Sequence, residues 1–180
     1  GRSGKLDRML EVMDELLAEG ERVLIFTQFV EMGRILQRAL AARFKLDAGF
    51  YYGGLNASQR EAMLDAFQRA DGPPVLILSL KAGGTGLNLT AASAVIHYDR
   101  WWNPAVEDQA TDRAHRIGQT RRVNVYRLVT EGTVEERVAE LLETKRAMAD
   151  KILGGADESW ITEMDDRALR AFLSLDKRAK

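Results

Sequence analysis

Short apolar runs alternate with longer amphipathic segments along this chain, and this alternation limits the possible folds most narrowly. The runs are too short for helices and lack polar alternation, which is typical of strands buried on both faces of a parallel sheet. They are Val23–Thr27, Phe50–Tyr52, Val75–Leu80, Ala94–Tyr98 and Val123–Val129. Strands that alternate with helices predict an α/β fold with a mainly parallel central sheet.

The segments between these runs repeat apolar residues at helical spacing. The predicted helices are Lys5–Glu19, Val30–Phe44, Ser58 to about Arg69, and Thr133–Leu153. Ser58–Glu61 and Thr133–Glu136 both have the pattern of a capping box. The third helix is predicted to turn three side chains inward: Ala62, Ala66 and Phe67.

Length and composition limit the organisation and the chemistry. The 180 residues fit an α/β lobe over 1–132, a long helix over 133–153 and a C-terminal helical extension over 154–180. The absence of cysteine excludes disulfides and thiolate zinc sites, and two histidines make a poor metal site, so no metal ligands are predicted. No signal peptide and no run long enough to span a bilayer is visible.

The net charge of −1 gives no global attraction to nucleic acid, so any such binding must come from a local patch. One candidate patch comprises Arg113, Arg116, Arg121 and Arg122.

The segment Asp108–Gln119 (DQATDRAHRIGQ) carries the strongest chemical signal. A helix is predicted to open at Asn103, a favoured N-cap that a proline follows. On a 3.6-residue period, Gln109, Arg113 and Arg116 fall on one face. Two guanidinium groups aimed the same way suit a phosphoryl group, whose oxygens gather charge in the transition state. The alternative is a solvated face with acidic partners on neighbouring turns.

Two loops next to predicted strands also suggest binding. In Lys81–Asn88, Gly83, Gly84 and Gly86 let the backbone approach a ligand closely and present N–H groups to phosphate or ribose oxygens, although a plain turn is the alternative. The pair Trp101-Trp102 follows another strand, and one tryptophan is predicted to be buried and the other exposed. An exposed tryptophan near cations suits nucleic acid.

The histidines have a simpler interpretation. His97 and His115 are both predicted to be structural, since neither shares the face of the arginines or has a metal-ligand neighbour.

Together these segments resemble the second RecA-like lobe of a superfamily-two helicase-type ATPase. More closely, they resemble the Swi/Snf-type double-stranded DNA translocases, which include chromatin remodellers and their bacterial relatives. The resemblance runs from about Lys5 to Leu175, and the ending HRIGQ is highly specific to that family. Its motifs are Val23–Phe29, Tyr52–Arg60, Ser79–Ala92, Asp108–Gln119 and Gly132–Glu135. The implied fold is a RecA-like three-layer sandwich, and we expect a bacterial member.

The resemblance implies roles for individual residues. Arg113 and Arg116 are implied as arginine fingers that enter the ATP site of the other lobe, with Gln109 helping to place them. The implied nucleotide contacts are Gly83, Gly84 and Gly86. The implied DNA contacts are Thr27, Gln28, Lys81, Thr85 and Trp102, with Trp101 as the alternative to Trp102. The helix from Val134 to Leu153 is implied to brace the two lobes.

The sequence also lacks motifs that a complete motor needs. It contains no GxxxxGK[ST] loop and no acidic box for magnesium, which in this family belong to the first lobe. ATP with Mg²⁺ is therefore expected to bind mainly to that absent lobe, and the isolated chain is predicted to be inactive. The expected partners are double-stranded DNA and the first lobe of the same protein, with no membrane. We expect a monomer, cytoplasmic and nucleoid-associated in a bacterium or nuclear in a eukaryote.

Three other classes of protein are left as alternatives. One is a strand-separating or RNA-directed helicase of the same superfamily, which lacks HRIGQ. A second is a non-enzymatic α/β module that binds nucleic acid or protein through its basic patch. A third, a small-molecule enzyme, has no visible nucleophile–base pair or metal cluster to support it.

Overall fold

A parallel β-sheet forms the centre of the lobe. The computed structural model describes residues 4–80, 87, 89–101, 104–114, 122–133, 135–140 and 143. Within those residues the strands are β1 (Val23–Thr27), β2 (Gly49–Tyr51), β3 (Val75–Ser79), β4 (Ala94–His97) and β5 (Asn124–Arg127). They lie in the order β2-β3-β1-β4-β5, and every pairing is parallel. The predicted parallel sheet is confirmed.

Helices cover both faces of this sheet. They are α1 (Gly4–Ala18), α2 (Val30–Phe44), α3 (Ala57–Gln68) and α4 (Pro104–Thr111). Val23 and Ile25 of β1 pack in one core with α1 and α2, whereas Leu24 and Phe26 pack in a second core with α3 and α4. Because successive side chains of a strand point to opposite faces, a continuous apolar run supplies both cores. The predicted three-layer sandwich is confirmed.

The helix α3 differs from its prediction in its cap and in its buried face. Asn56, not Ser58, is the N-cap: its side chain accepts from Gln59 N–H at 2.8 Å, and the Gln59 side chain accepts from Asn56 N–H at 3.1 Å. The predicted box at Ser58–Glu61 was therefore wrong, because asparagine caps at least as well as serine and lies two residues earlier.

The inward face of α3 is set by Phe67, which is fully buried. Met63 and Leu64, four and three residues earlier, pack against the same core. Ala62 lies off that face and is exposed, which contradicts its predicted burial, and Ala66 is half-buried.

A glycine in α2 permits close packing on the sheet. A Cβ at Gly33 would stand 2.2 Å from Cζ of Phe50, which is buried and stacks on Tyr52. We expect Gly33→Ala to lower the free energy of unfolding by about 1–2 kcal/mol, because overpacking outweighs the gain in helix propensity. Urea unfolding tests this, with Gly53→Ala as the control because a Cβ there meets nothing within 4 Å. An unchanged midpoint for Gly33→Ala would contradict the expectation.

A half-buried ion pair ties α1 to the segment that follows β5. Lys5 Nζ lies 2.6 and 2.7 Å from the two carboxylate oxygens of Glu135, and also lies over the ring of Tyr98. Glu135 Oε2 accepts in addition from Thr130 N–H at 3.2 Å. The beginning of the predicted brace helix is thereby fixed against α1.

The cap of that helix differs in detail from the predicted capping box. Thr133 Oγ1 accepts from Glu135 N–H at 3.2 Å, while the Glu136 carboxylate accepts from Gly132 N–H at 2.8 Å. Gly132 adopts a positive φ of 69°, which tightens the turn and presents its N–H to that carboxylate. Residues 135–140 and 143 are helical, and the remainder of the predicted brace and the predicted extension 154–180 lie outside the described residues.

Candidate functional site

The carboxyl edge of the sheet gathers most of the described candidate residues. Parallel sheets bind ligands at this edge, beyond the strand ends. A groove of about 700 Å³ lies there beside the ends of β1, β2 and β3, and its lining includes Gln28, Phe29, Tyr52 and Ser79. Phe29, to which the sequence analysis gave no role, is 60% exposed in this groove.

Thr27 and Gln28, the implied DNA contacts at the end of β1, are both engaged with the loop after β4. Thr27 is fully buried, and its hydroxyl donates to Asp99 Oδ2 at 2.5 Å. Gln28 N–H donates to the same oxygen at 3.0 Å, and Gln28 Nε2 donates to the carbonyl of Arg100. In this structure the Thr27 side chain binds Asp99 in the interior and is not exposed at the surface. Direct phosphate contact by either residue stays a prediction.

A buried carboxylate organises the beginning of α4. Glu107 is fully buried, and its Oε1 accepts from Arg100 Nε at 2.9 Å and from Trp101 N–H at 3.0 Å. Its Oε2 lies 3.3 Å from Arg127 Nε on β5, and Arg127 also approaches Asp108 at 3.6 Å. One side chain therefore joins α4, the loop before it and the neighbouring strand.

The helix α4 ends at Thr111, earlier than predicted, so that Gln109 lies in the helix and Arg113 in the turn that follows it. After Thr111 the backbone tightens, since Arg113 N–H donates to Ala110 O at 3.3 Å and Ala114 N–H donates to Thr111 O at 3.0 Å. Gln109 is exposed, whereas Arg113 is 6% exposed. The two residues therefore differ in exposure, and that they share one face with Arg116 stays a prediction, because Arg116 lies outside the described residues.

The turn that carries Arg113 is tied to the segment after the glycine-rich loop. Leu89 N–H donates to the carbonyl of Arg113 at 2.9 Å, and Leu89 is fully buried. The structure thus places Leu89, the described residue that follows the glycine-rich loop in sequence, against the turn that carries Arg113.

Several predicted site residues lie outside the described residues. They are Arg116, Gly83, Gly84, Gly86, Lys81, Thr85 and Trp102, together with His115. Trp101 lies within the described residues and is half-buried, and its backbone N–H donates to Glu107 Oε1. Which tryptophan reaches DNA therefore stays open.

His97 is buried between the sheet and α4. Its Nε2 lies 3.0 Å from Thr111 Oγ1, and its ring stacks on Phe26 at 5.4 Å. Burial is the largest cause that lowers the pKa of His97 to about 4; the nearby Arg127 and Arg100 act in the same direction, against the opposing effects of Glu107 and Asp108. Its neutral, packed state agrees with the structural role predicted for it.

The described residues contain neither a cluster of metal ligands nor a membrane-spanning helix. Over residues 4–80 and the later described segments, no group of three or more His, Asp or Glu side chains is arranged to hold a metal ion. Within that part of the chain, no helix combines the length and the apolar character needed to cross a bilayer.

Asp99, Arg100 and Glu107 received no role from the sequence, although among the described residues they form a connected polar group near the site. A usable signal existed for Asp99, which follows a buried strand directly at the carboxyl edge. Glu107 gave none, because an acid in the first turn of a helix is normally explained by the helix dipole and solvent.

The parallel sheet, its helical faces and the polar loops at its carboxyl edge define a RecA-like lobe. Residues 4–118 match the helicase conserved C-terminal domain. The chain belongs to that family, as the second RecA-like lobe of a Swi2/Snf2-type ATPase. The resemblance found in the sequence is confirmed.

Individual relatives support this assignment. The chain is 49% identical, over all of its residues, to the putative ATP-dependent helicase/translocase YwqA of Bacillus subtilis, of which it spans 19%. The Sulfolobus solfataricus SWI2/SNF2 ATPase C-terminal domain superposes with a TM-score of 0.73 at 39% identity, covering 97% of this chain and 70% of that one. The Sulfolobus ATPase core in complex with dsDNA gives 0.77 at 43% identity, covering 97% and 36%.

Proposed function

We propose that this chain is the second motor lobe of an ATP-dependent double-stranded DNA translocase. The observation that carries the proposal is the likeness, at 43% identity over 97% of this chain, to an ATPase core solved with dsDNA. The chain spans about a fifth of YwqA, so the activity belongs to a longer protein.

The proposed division of labour follows from what the chain contains. ATP binds between the lobes, and Arg113 and Arg116 neutralise the charge that develops on the γ-phosphate. The backbone at Gly83, Gly84 and Gly86 approaches the nucleotide from this side. Mg²⁺ is proposed to bind with ATP mainly in the first lobe, where this family carries the GxxxxGK[ST] loop and the acidic box.

The proposed DNA contacts act without reading sequence. Gln28, Lys81, Thr85 and Trp102 contact the duplex, and Thr27 supports them by holding Asp99. Contacts to phosphate position a protein but carry no base information, so binding is expected to be sequence-tolerant and salt-sensitive. Alternating grip by two such lobes then moves the protein along the duplex.

The test is ATP hydrolysis by the full-length protein and by the 180-residue chain, each with and without duplex DNA. We expect duplex to stimulate the full-length protein and the isolated chain to stay at background, because it lacks the phosphate loop and the acidic box. Stimulation by single-stranded RNA but not by duplex DNA would favour the RNA-directed helicase. A full-length protein without any hydrolysis would favour the binding module.

A further inference from the structure

Glu107 differs from the other described acidic residues because its carboxylate is fully buried and pairs with two arginines. It accepts from Arg100 Nε at 2.9 Å and lies 3.3 Å from Arg127 Nε. Arg100 is itself buried, and its Nη2 has no partner among the described residues. Arg100 therefore depends on Glu107 for neutralisation, since a buried charge without a partner is strongly unfavourable.

The contacts of Glu107 extend to the loop after β1. Gln28 Nε2 donates to the carbonyl of Arg100, the residue whose side chain binds Glu107. Asp99, the residue before Arg100, accepts from Thr27 Oγ1 and from Gln28 N–H. A continuous set of hydrogen bonds thus runs from Gln28 through Arg100 to Glu107.

The same carboxylate fixes the other end of this path. Its Oε1 accepts from Trp101 N–H at 3.0 Å, which holds the loop before α4 onto the first turns of that helix. The side chain also rises from α4 itself, two residues before Gln109 and six before Arg113. A shift of the loop at Gln28 would therefore be transmitted to α4, which carries Gln109 and leads into the turn of Arg113, because buried polar contacts have few alternative arrangements.

We propose that Glu107 is a positioning residue that couples the DNA-facing loop after β1 to the helix α4 and its proposed catalytic residues. This inference rests on the proposed function, because it assumes that Gln28 meets DNA and that Arg113 acts on ATP. A residue with only a structural role would neutralise Arg100 and Arg127 without transmitting anything.

The two roles are distinguished by one ratio: the rate of ATP hydrolysis with duplex DNA divided by the rate without it. Loss of folded protein lowers the hydrolysis rate equally with and without DNA, so the ratio of the two rates stays constant. Loss of coupling lowers the DNA-stimulated rate alone. In the full-length protein we expect Glu107→Gln to reduce that ratio by about tenfold to a hundredfold, because small misplacements of catalytic groups have effects of this size. The KM for ATP is expected to change by less than about threefold, since ground-state binding is retained.

The matched control is Asp14→Asn, which also turns an arginine-bound carboxylate into an amide but in an exposed pair with Arg43. Its ratio is expected to equal that of the wild type. A wild-type ratio in Glu107→Gln would overturn the inference, whereas a wild-type protein that duplex fails to stimulate would contradict the proposed function instead.

A second variant keeps the inference testable if Glu107→Gln does not fold. Arg100→Gln removes one buried cation and leaves Glu107 paired with Arg127 and with Trp101 N–H. No buried charge is stranded, so the protein is expected to fold. The inference predicts a reduced ratio for this variant too, and a wild-type ratio in folded Arg100→Gln protein would overturn it.

Discussion

Replacing Arg116 or Arg113 by alanine in the full-length protein is expected to lower DNA-stimulated ATP hydrolysis by about 10³- to 10⁵-fold. An arginine finger acts on charge that develops only in the transition state, so its loss reduces turnover more than nucleotide binding. The measurement is steady-state hydrolysis at saturating ATP and duplex, combined with direct binding of each ligand. The binding constants for ATP and for duplex DNA are both expected to stay within about threefold of wild type, because the arginines stabilise the transition state and not the bound ground state.

The two arginines need different controls. Arg113 is 6% exposed and its turn is bound to Leu89, so Arg113→Ala is also expected to weaken the fold, and its thermal unfolding must be measured alongside. Arg38→Ala on the exposed face of α2 removes a guanidinium to which the proposed mechanism gives no role, and this variant is expected to hydrolyse ATP normally. Near wild-type turnover in folded Arg113→Ala and Arg116→Ala proteins would show that this basic segment is a binding surface.

The strands were predictable because they depend on local composition. Val23–Thr27 is continuously apolar, and a run of that length without polar alternation leaves little choice except a strand buried on both faces. The helix Val30–Phe44 likewise follows from periodicity alone and was predicted with its observed bounds. The cap of α3 was not, because Asn56 and Ser58 are nearly equivalent caps and only the path of the chain selects between them.

The polar organisation of the site could not be predicted, because it depends on residues far apart in sequence. Thr27 meets Asp99 across 72 positions, and the burial of Glu107 exists only once β5 lies beside β4. The end of α4 at Thr111 has a local cause, the tightened turn at Arg113 and Ala114, which a periodicity argument does not predict because it assumes that the helix continues. The roles assigned through the resemblance stay predictions at these positions.

Acidification is expected to destabilise the lobe through His97. The pKa of His97 is about 4 in the folded chain and 6.5 in the unfolded chain, mainly because burial disfavours the charged ring. Between these values the unfolded state binds the proton and the folded state does not, so stability rises with pH. The contribution of the neutral His97 ring to the free energy of unfolding is complete above about pH 6.5. It is lost as the pH falls toward 4, at about 1.4 kcal/mol per pH unit.

The contacts of His97 explain why protonation is resisted. The Thr111 hydroxyl donates to the carbonyl of Glu107 and so accepts from Nε2–H of the neutral ring, while Nδ1 is buried with no partner among the described residues. A second proton would place an unpaired N–H at Nδ1 in the interior. In His97→Gln the side-chain amide can still donate to Thr111, so the packing contact is kept and the titration is removed.

Urea unfolding of the 180-residue chain at pH 7.5 and pH 5.0 measures this effect. Over that interval the free energy of unfolding of the wild type is expected to fall by about 2 kcal/mol more than that of His97→Gln. This value follows because pH 5.0 lies about 1.5 pH units below the pKa of the unfolded chain. The carboxylates and His115 are common to both proteins, so their titration cancels in the comparison. If both proteins lose the same unfolding free energy, His97 takes up a proton within the folded lobe. The part of α4 around Thr111 would then move far enough for water to reach Nδ1.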